Sequence, residues 1–480
     1  MAAAALAAQW TLHAAVPGAP FAPFSFGDWL IRQAPGALAT TAIDALGHQA
    51  LRLLAAGVVV GALALGAAWG RRTASALAGV GFLSTLGAAR LDPKRPSFEL
   101  TLLAAVVAGG AALATAIAVR PPAAHSARPE ATPDAGRRRV LAALALGLGA
   151  VGLGVATVRR VTRQVRAAVV RVDRRATRVD DPAYSGILGL SEAVTPRDRH
   201  YVVDIDLDDP VVVASAWRLR VGGAVARPRA FSLADLRALP IVERVATLAC
   251  ISNPVGGDLV GNARWAGVPL ADLLQQAGPL PGATTLEARA ADGYVETLPL
   301  SAALHPDVLV AIGMNGALLP RAHGFPARLR VPARYGVKNV KWLEELRVVR
   351  ERRQGYWGER GWDDAALIHL QSRIDVPADR ARAPRRFVLA GVAWAGDRRV
   401  SRVEVSADDG RTWMPAQLER EGDPLSWRRW RLPVCLQPGV HALTVRATDG
   451  SGRAQDKERR PPHPAGATGW HRIVVTVEPR

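Results

Sequence analysis

Four stretches in the first third of this 480-residue chain, Leu53–Trp69, Thr73–Ala89, Leu100–Val119 and Val140–Val158, contain no charged residue. Each is about long enough to cross a hydrocarbon core of ~30 Å, so the pattern predicts four membrane-spanning helices. The alternative for each run is a buried helix of a soluble domain, but such helices seldom stay charge-free over this length. Met1–Val16 is also uncharged, though short, Ala-rich and ended by Pro17, and is expected as a fifth helix, either complete or with its start missing. Phe21–His48 then reads as an extracytoplasmic loop carrying an amphipathic segment. Sidedness follows from short-loop arginines. Arg71 and Arg72 follow the run Leu53–Trp69, and five arginines lie in Arg120–Arg139, in a loop on the same side. That side is assigned to the cytoplasm, which places everything after Val158 outside the cell. Arg137–Arg138–Arg139 directly before Val140–Leu144 has the arrangement of a twin-arginine export signal, or equally of an ordinary positive-inside anchor.

Charge and cysteine usage exclude several classes. The 61 Lys and Arg against 42 Asp and Glu leave a net charge of +19, which alone would suggest nucleic acid or an anionic membrane surface. The apolar share of 49% and a mean hydropathy of +0.08 argue against nucleic acid. The basic stretch Arg159–Arg178 therefore reads as a solvated or headgroup-bound linker helix. Cysteine occurs only at Cys250 and Cys435, so a disulfide framework, a Cys-rich zinc site and a cysteine-ligated iron–sulfur cluster are ruled out. His13 and His48 lie near the apolar segments as remote haem-ligand candidates; a lone His near a helix end is ordinarily structural or solvated.

The remainder divides by texture. Pro182–Arg350 mixes short β-branched runs (Val211–Val213, Arg218–Gly222, Arg328–Val331, Leu346–Val349) with short helical patterns (Leu233–Leu239, Leu270–Gln276), an α+β domain. From Pro384 the chain alternates apolar and polar residues over Phe387–Trp394, Arg399–Val405, Trp413–Leu418, Trp427–Leu432 and His441–Ala447. Asp408–Gly410 and Asp449–Gly450 serve as turns, and a last strand runs to Val477. This predicts an immunoglobulin-like sandwich, with Trp394, Trp413, Trp427, Trp430 and Trp470 as core and interface filling. The expected organisation is a helical membrane domain over 1–158, a basic linker over 159–181, a catalytic domain over 182–352, a connecting segment over 353–383 and the sandwich over 384–480.

Two clusters carry chemistry. In the first, the apolar run Val245–Ala249 ends at Cys250 and passes into the Gly-rich turn Ile251-Ser252-Asn253-Pro254-Val255-Gly256-Gly257, which would aim one sulfur at a pocket. A lone cysteine is otherwise a buried small hydrophobe, or a nucleophile paired with a distant histidine. The second, His323–Pro332 with Tyr335–Trp342, threads His323, Arg328, Arg330, Lys338 and Lys341 through Gly and Pro turns. Such a group suits a phosphate or another anion; a basic surface strand is the alternative.

Together these clusters, with Met314-Asn315-Gly316, Leu319-Pro320 and the closing Trp470-His471-Arg472, resemble the sulfite-oxidase family of molybdopterin enzymes over nearly all of Pro182–Pro479. The long apolar front end is similar to that of membrane-anchored bacterial members, in the style of high-GC actinobacterial ones. The resemblance implies a molybdenum–molybdopterin cofactor with Cys250 as the protein thiolate on the metal. His323, Arg328, Lys338 and Lys341 would hold the pterin and its phosphate, with Asn253 and Asn315 orienting it, and Tyr294 would sit near the substrate oxygen. The family's upstream Arg-Asn-His element is matched only loosely, by Arg197-Asp198-Arg199-His200, which makes His200 a further cofactor candidate. Where eukaryotic sulfite oxidases follow the Cys and Asn with paired arginines, this chain has Pro254-Val255-Gly256-Gly257. The departures fall on substrate recognition rather than cofactor binding.

The resulting expectation is an extracytoplasmic, membrane-anchored oxidoreductase acting on a small oxyanion such as sulfite. It would pass electrons to a separate cytochrome or quinone-linked partner and form a homodimer through the sandwich. A sulfoxide reductase of the same family is the second reading, and a non-catalytic surface-anchored binding protein the third.

Overall fold

A computed structural model describes residues 2–16, 18–34, 170–173 and 181–479, with scattered positions between 53 and 108. Most of the four apolar runs and all of the twin-arginine stretch lie outside these residues. Among the described residues, no helix is long and apolar enough to cross a membrane. Ala2–Ala15 is a helix of 14 residues, about 21 Å at 1.5 Å per residue. The amphipathic segment expected after it is the helix Ala22–Gln33, with Pro23 in its first turn. This helix and the segment Asp204–Val211 belong to one compact unit. Asp28 accepts from the Leu207 amide at 2.6 Å, and Arg32 pairs with Asp206 at 2.9 Å. His13, a remote haem-ligand candidate, has Nδ1 2.7 Å from the Ala19 carbonyl and Nε2 3.7 Å from Asp208. His48 lies outside the described residues.

The second unit holds the α+β domain and the sandwich. The α+β domain is built from β1 (Leu219–Gly223), β2 (Arg229–Phe231), β3 (Val242–Ala249), β4 (Val260–Pro269), β5 (Thr285–Ala290), β6 (Val295–Pro299), β7 (Leu309–Met314), β8 (Ala317–Leu318), β9 (Arg328–Arg330) and β10 (Leu343–Val349). These form two sheets, ordered β2-β1-β10-β5-β6 and β3-β4-β7-β8, with β9 paired to β7. A common core draws Leu219, Val221, Leu286 and Leu346 from the first sheet and Val268, Val310 and Ile312 from the second, with Leu270, Leu273 and Leu274 from the helix Leu270–Ala277. The other face of the second sheet is also covered, over Ala246, Leu248, Trp265 and Met314. Burial on both faces explains why Val245–Ala249 reads as an apolar run, interrupted only by Thr247, rather than an alternating one. The expected strand Val211–Val213 is not formed. Val213 instead opens a turn in which its carbonyl accepts from Ala216 and Trp217.

The sandwich consists of β11 (Gln371–Val376), β12 (Arg382–Ala383), β13 (Arg386–Trp394), β14 (Val400–Ser406), β15 (Met414–Pro415), β16 (Gln417–Leu418), β17 (Arg428–Cys435), β18 (Gly439–Asp449) and β19 (His471–Val477). One sheet is ordered β11-β13-β17-β16 and the other β12-β19-β18-β14-β15. The segment 353–383 is therefore not merely a connection: β11 pairs with β13 and β12 runs parallel to β19. Polar and charged residues at four of the six positions of Gln371–Val376, three of them consecutive, masked the strand. Trp430 fills the core at 0% exposure and Trp394 and Trp427 are buried, while Trp413 and Trp470 stack edge to face at 5.1 Å under Arg446.

Candidate active site

Cys250 sits where β3 gives way to a turn, its amide donating to the Leu259 carbonyl at 2.9 Å. The side chain is buried, and Sγ lies 3.0 Å from the Ser252 hydroxyl. Burial pushes the thiol up from its ordinary value, with the Ser252 contact pulling the other way. A buried thiol in such surroundings stays protonated until an electropositive centre binds it, at which point it is a soft anionic ligand. The turn that follows is closed by Asn253, whose Oδ1 accepts from the Leu259 amide at 3.0 Å. Gly256 and Gly257 complete it, and a Cβ on Gly256 (φ +79°) would stand 2.2 Å from the His471 ring.

Beside Cys250 lies the turn Gly336–Lys338. A Cβ at Gly336 would fall 3.0 Å from the Tyr201 hydroxyl, 3.5 Å from the Ala249 carbonyl and 3.9 Å from the Cys250 Cα, so this position needs glycine for close approach. Burial holds Tyr201 well above the ordinary phenol value, with Cys250 raising it further and Arg328 and Arg330 opposing. Tyr335 is pushed up to about 12, again by burial. Both phenols are therefore proton donors at neutral pH.

The two arginines of β9 share a face, as their alternation predicted: their guanidinium carbons stand 5.0 and 5.9 Å from the centroid of the buried Trp265 ring. Arg328 donates to the carbonyls of His323 and Asn339. Arg330 donates to Thr247 O at 2.8 Å and Asn339 Oδ1 at 2.9 Å. Burial, then Arg328, lowers Arg330 to about 9. Alongside, the rings of His200 and His323 meet edge to face at 5.3 Å. Burial drives His200 to about 3, helped by His323, and His323 to about 4, helped by Arg328 and Lys341. Both are neutral at pH 7. Lys341 donates to the Ala322 carbonyl at 3.1 Å and lies 4.3 Å from the Trp342 centroid.

The remaining expected residues are spent elsewhere. Lys338 makes an internal ion cluster, 2.7 Å from Glu296 and 2.9 Å from Asp364, with a third bond to Thr297 O at 3.1 Å. Its three donors are thereby satisfied. The Tyr294 hydroxyl lies 3.0 Å from Glu296 Oε2 and 2.9 Å from the Val337 carbonyl, so its one proton is divided between two acceptors within the same cluster. Asn315, at φ +53°, is the first turn residue between β7 and β8. Its side chain bridges the Arg264 amide and the Thr195 carbonyl at 2.9 Å each. Asn253, Asn315, Lys338 and Tyr294 thus shape the walls, whereas Cys250, His200, His323, Arg328 and Lys341 belong to the cationic, thiol-bearing region. Tyr201 and Asn339 were not singled out from the sequence as site residues. Arg330 reads as part of the cationic cluster, on its spacing of two from Arg328, but the resemblance gives it no cofactor role.

The residues fit an anionic, metal-bearing cofactor. The buried His200 Nε2 and Arg330 Nε have no hydrogen-bond partner, a costly arrangement unless a ligand completes it. A single soft donor beside buried arginines suits a thiolate-bound metal attached to a phosphate-bearing organic group.

Comparison with known proteins gives the same picture. Residues 206–357 match the oxidoreductase molybdopterin binding domain, and residues 365–478 the Mo-co oxidoreductase dimerisation domain. The chain is 33% identical to sulfite oxidase of Gallus gallus over 332 residues, covering 58% of this chain and 72% of that protein. It is 32% identical to the mitochondrial sulfite oxidase of Rattus norvegicus over 343 residues, 60% of this chain and 63% of that one. A putative protein-methionine-sulfoxide reductase subunit of Azospira oryzae is 34% identical over 158 residues, 32% of this chain and 58% of that one. The crystal structure of the sulfane dehydrogenase SoxCD from Paracoccus pantotrophus superposes with a TM-score of 0.53 and 22% identity, over 66% of this chain and 92% of that one, a likeness of fold. The chain belongs to the sulfite-oxidase family of molybdopterin oxidoreductases, and is a molybdenum-dependent oxidoreductase.

Proposed function

We propose that this enzyme transfers an oxygen atom to or from a small oxyanion, with sulfite as substrate, at the outer face of a membrane to which its apolar front end anchors it. The observation that carries the reading is the buried Cys250 together with the buried Arg328 and Arg330, all three acting electrostatically on Tyr201, in a chain with sulfite oxidases among its relatives. In this reading Cys250 holds the metal as its thiolate, while Arg328, Arg330, His323 and Lys341 hold the pterin and its phosphate. When bound, the cofactor supplies the two-electron change and the oxygen exchange. The protein's part is positioning and electrostatics. Neutral His200 and His323 provide hydrogen bonds without adding charge, and Tyr201 keeps its proton for donation. Gly336–Lys338, supported by the Lys338–Glu296 pair, forms a fixed wall against Cys250.

A sulfoxide reductase is the second reading, favoured by the Azospira oryzae relative and by Pro254–Gly257 standing where eukaryotic members carry paired arginines. Steady-state assay with sulfite and an artificial acceptor, beside methionine sulfoxide and a reduced dye, separates the two. Turnover of the sulfoxide alone would overturn the first. The third reading, a non-catalytic binding protein, gives way to the family assignment. In the proposed reading electrons leave for a separate partner, a cytochrome or quinone-linked carrier. The sandwich is the natural homodimer surface, since the family model it matches is a dimerisation domain. Export is tested by replacing Arg138 and Arg139 with Lys: retention of the catalytic domain inside is expected, and normal surface display would refute use of the folded-protein route.

A further inference from the structure

We propose that the loop Asp423–Trp427 of the sandwich is a positioning element for the metal-ligating cysteine and for Arg330, acting through Thr247; the inference rests on the molybdenum reading above. β3 is the edge strand of its sheet, and an open edge three residues before Cys250 would leave that residue on a poorly fixed strand end. The sandwich loop closes the edge. Thr247 donates its amide to the Leu425 carbonyl at 2.9 Å, and its hydroxyl accepts from the Trp427 amide at 2.7 Å. The Asp423 carboxylate accepts from the Val245 amide at 3.2 Å. On the same edge, the Thr247 carbonyl receives Arg330 at 2.8 Å. One residue therefore ties together the sandwich, the strand leading to Cys250 and the buried arginine.

The arrangement is braced on the other side. Thr247 Oγ1 lies 3.1 Å from Asn262 Oδ1, and Asn262 Nδ2 donates to Ser426 Oγ at 2.8 Å. The turn after Cys250 is clamped independently, with Arg373 donating to the Gly257 carbonyl at 2.7 Å. Hydrogen bonds within an element would serve stability alone. These run instead from one domain's loop into the backbone that aims the other domain's ligand, the relation of a metal site to the groups that orient its ligands.

The test uses the purified full-length holoenzyme and Thr247→Val, which keeps side-chain volume but removes the hydroxyl. Ser426→Ala is a milder second variant should the first fail to fold, and Ser406→Ala is the control. Ser406 is a buried sandwich hydroxyl that bonds only within its own turn, to Asp408 and Gly410. Readouts are the Mo(V) electron paramagnetic resonance spectrum, molybdenum per chain, and kcat and KM separately. Loosening of the loop should alter the spectrum, and lower kcat by roughly ten- to a hundredfold with little change in KM, because small misplacements near reacting groups have effects of this size. The control should match wild type in spectrum. A wild-type spectrum and kcat in a folded Thr247→Val or Ser426→Ala variant, with only thermal stability reduced, would overturn the positioning role. Absence of molybdenum from the wild type would instead overturn the parent reading, and this one with it.

Discussion

Replacing Lys338 by Met removes the cation at the centre of the buried cluster that supports the Cys250 wall. Lys338 and Glu296 are each 2% exposed, and Asp364 21%. In the variant Glu296 keeps the Thr297 amide at 2.9 Å and the Tyr294 hydroxyl at 3.0 Å but no positive neighbour in bonding range. Breaking a buried pair by deleting one partner costs about 3–5 kcal/mol, and at roughly 2–4 °C per kcal/mol for a domain of this size the midpoint should fall by about 6–20 °C. Burial already raises the Glu296 carboxyl, and Lys338 is the largest influence holding it down. Without Lys338 it rises further, so the folded variant binds a proton that the unfolded chain has released. Between the ordinary glutamate value and that raised value, variant stability then falls as pH rises. The deficit against wild type should be smaller near pH 5 than near pH 8. Adding Glu296→Gln removes the stranded charge and should recover part of the loss. Thermal unfolding of the three proteins across pH measures this directly; a loss below about 1 kcal/mol, or one independent of pH, would refute a buried, charged pair.

Ser252→Ala removes the hydroxyl 3.0 Å from Cys250 Sγ; since hydrogen bonds to ligand sulfur raise metal potentials, the molybdenum potential should move negative, and an unmoved redox titration would show that this contact does not tune the centre. Gly261→Ala would place a Cβ 2.7 Å from the His200 ring, and overpacking of this kind costs about 1–3 kcal/mol, so lower stability and poorer cofactor retention are expected; wild-type values would contradict the packing. His200 and His323, held near 3 and 4, bind fewer protons folded than unfolded between those values and 6.5. Their contribution to stability is present above that window and is lost as pH falls through it. Acid titration followed by NMR of the two imidazoles should find both neutral at pH 6, and normal titration of either would contradict their burial.

The sandwich was legible because β14, β18 and β19 carry polar residues between apolar ones, β13 is a long apolar run and Gly stands at the turns. Its first strand was not, because Gln371, Ser372, Arg373 and Asp375 are polar, yet all four make specific buried or long-range bonds. The cysteine turn and the Arg328–Arg330 spacing were visible as patterns. What Lys338 does was not, since a lysine two residues past a glycine looks the same whether it faces a phosphate or Glu296, some 40 positions earlier in sequence. For Tyr294, one hydroxyl partner, Glu296, is two residues on, but the other, Val337, is 43 residues away. Pairings of that separation leave no periodicity to read.

The most direct measurement is molybdenum and pterin content, by elemental analysis and fluorescence of the oxidised pterin, in the full chain purified from a cofactor-competent host, beside Cys250→Ser. One molybdenum per wild-type chain, lost or spectroscopically altered in the variant while Cys435→Ser leaves it unchanged, is what the structure predicts. Wild-type protein that carries no molybdenum, or a Cys250→Ser protein with the same metal content and the same Mo(V) spectrum, would contradict it.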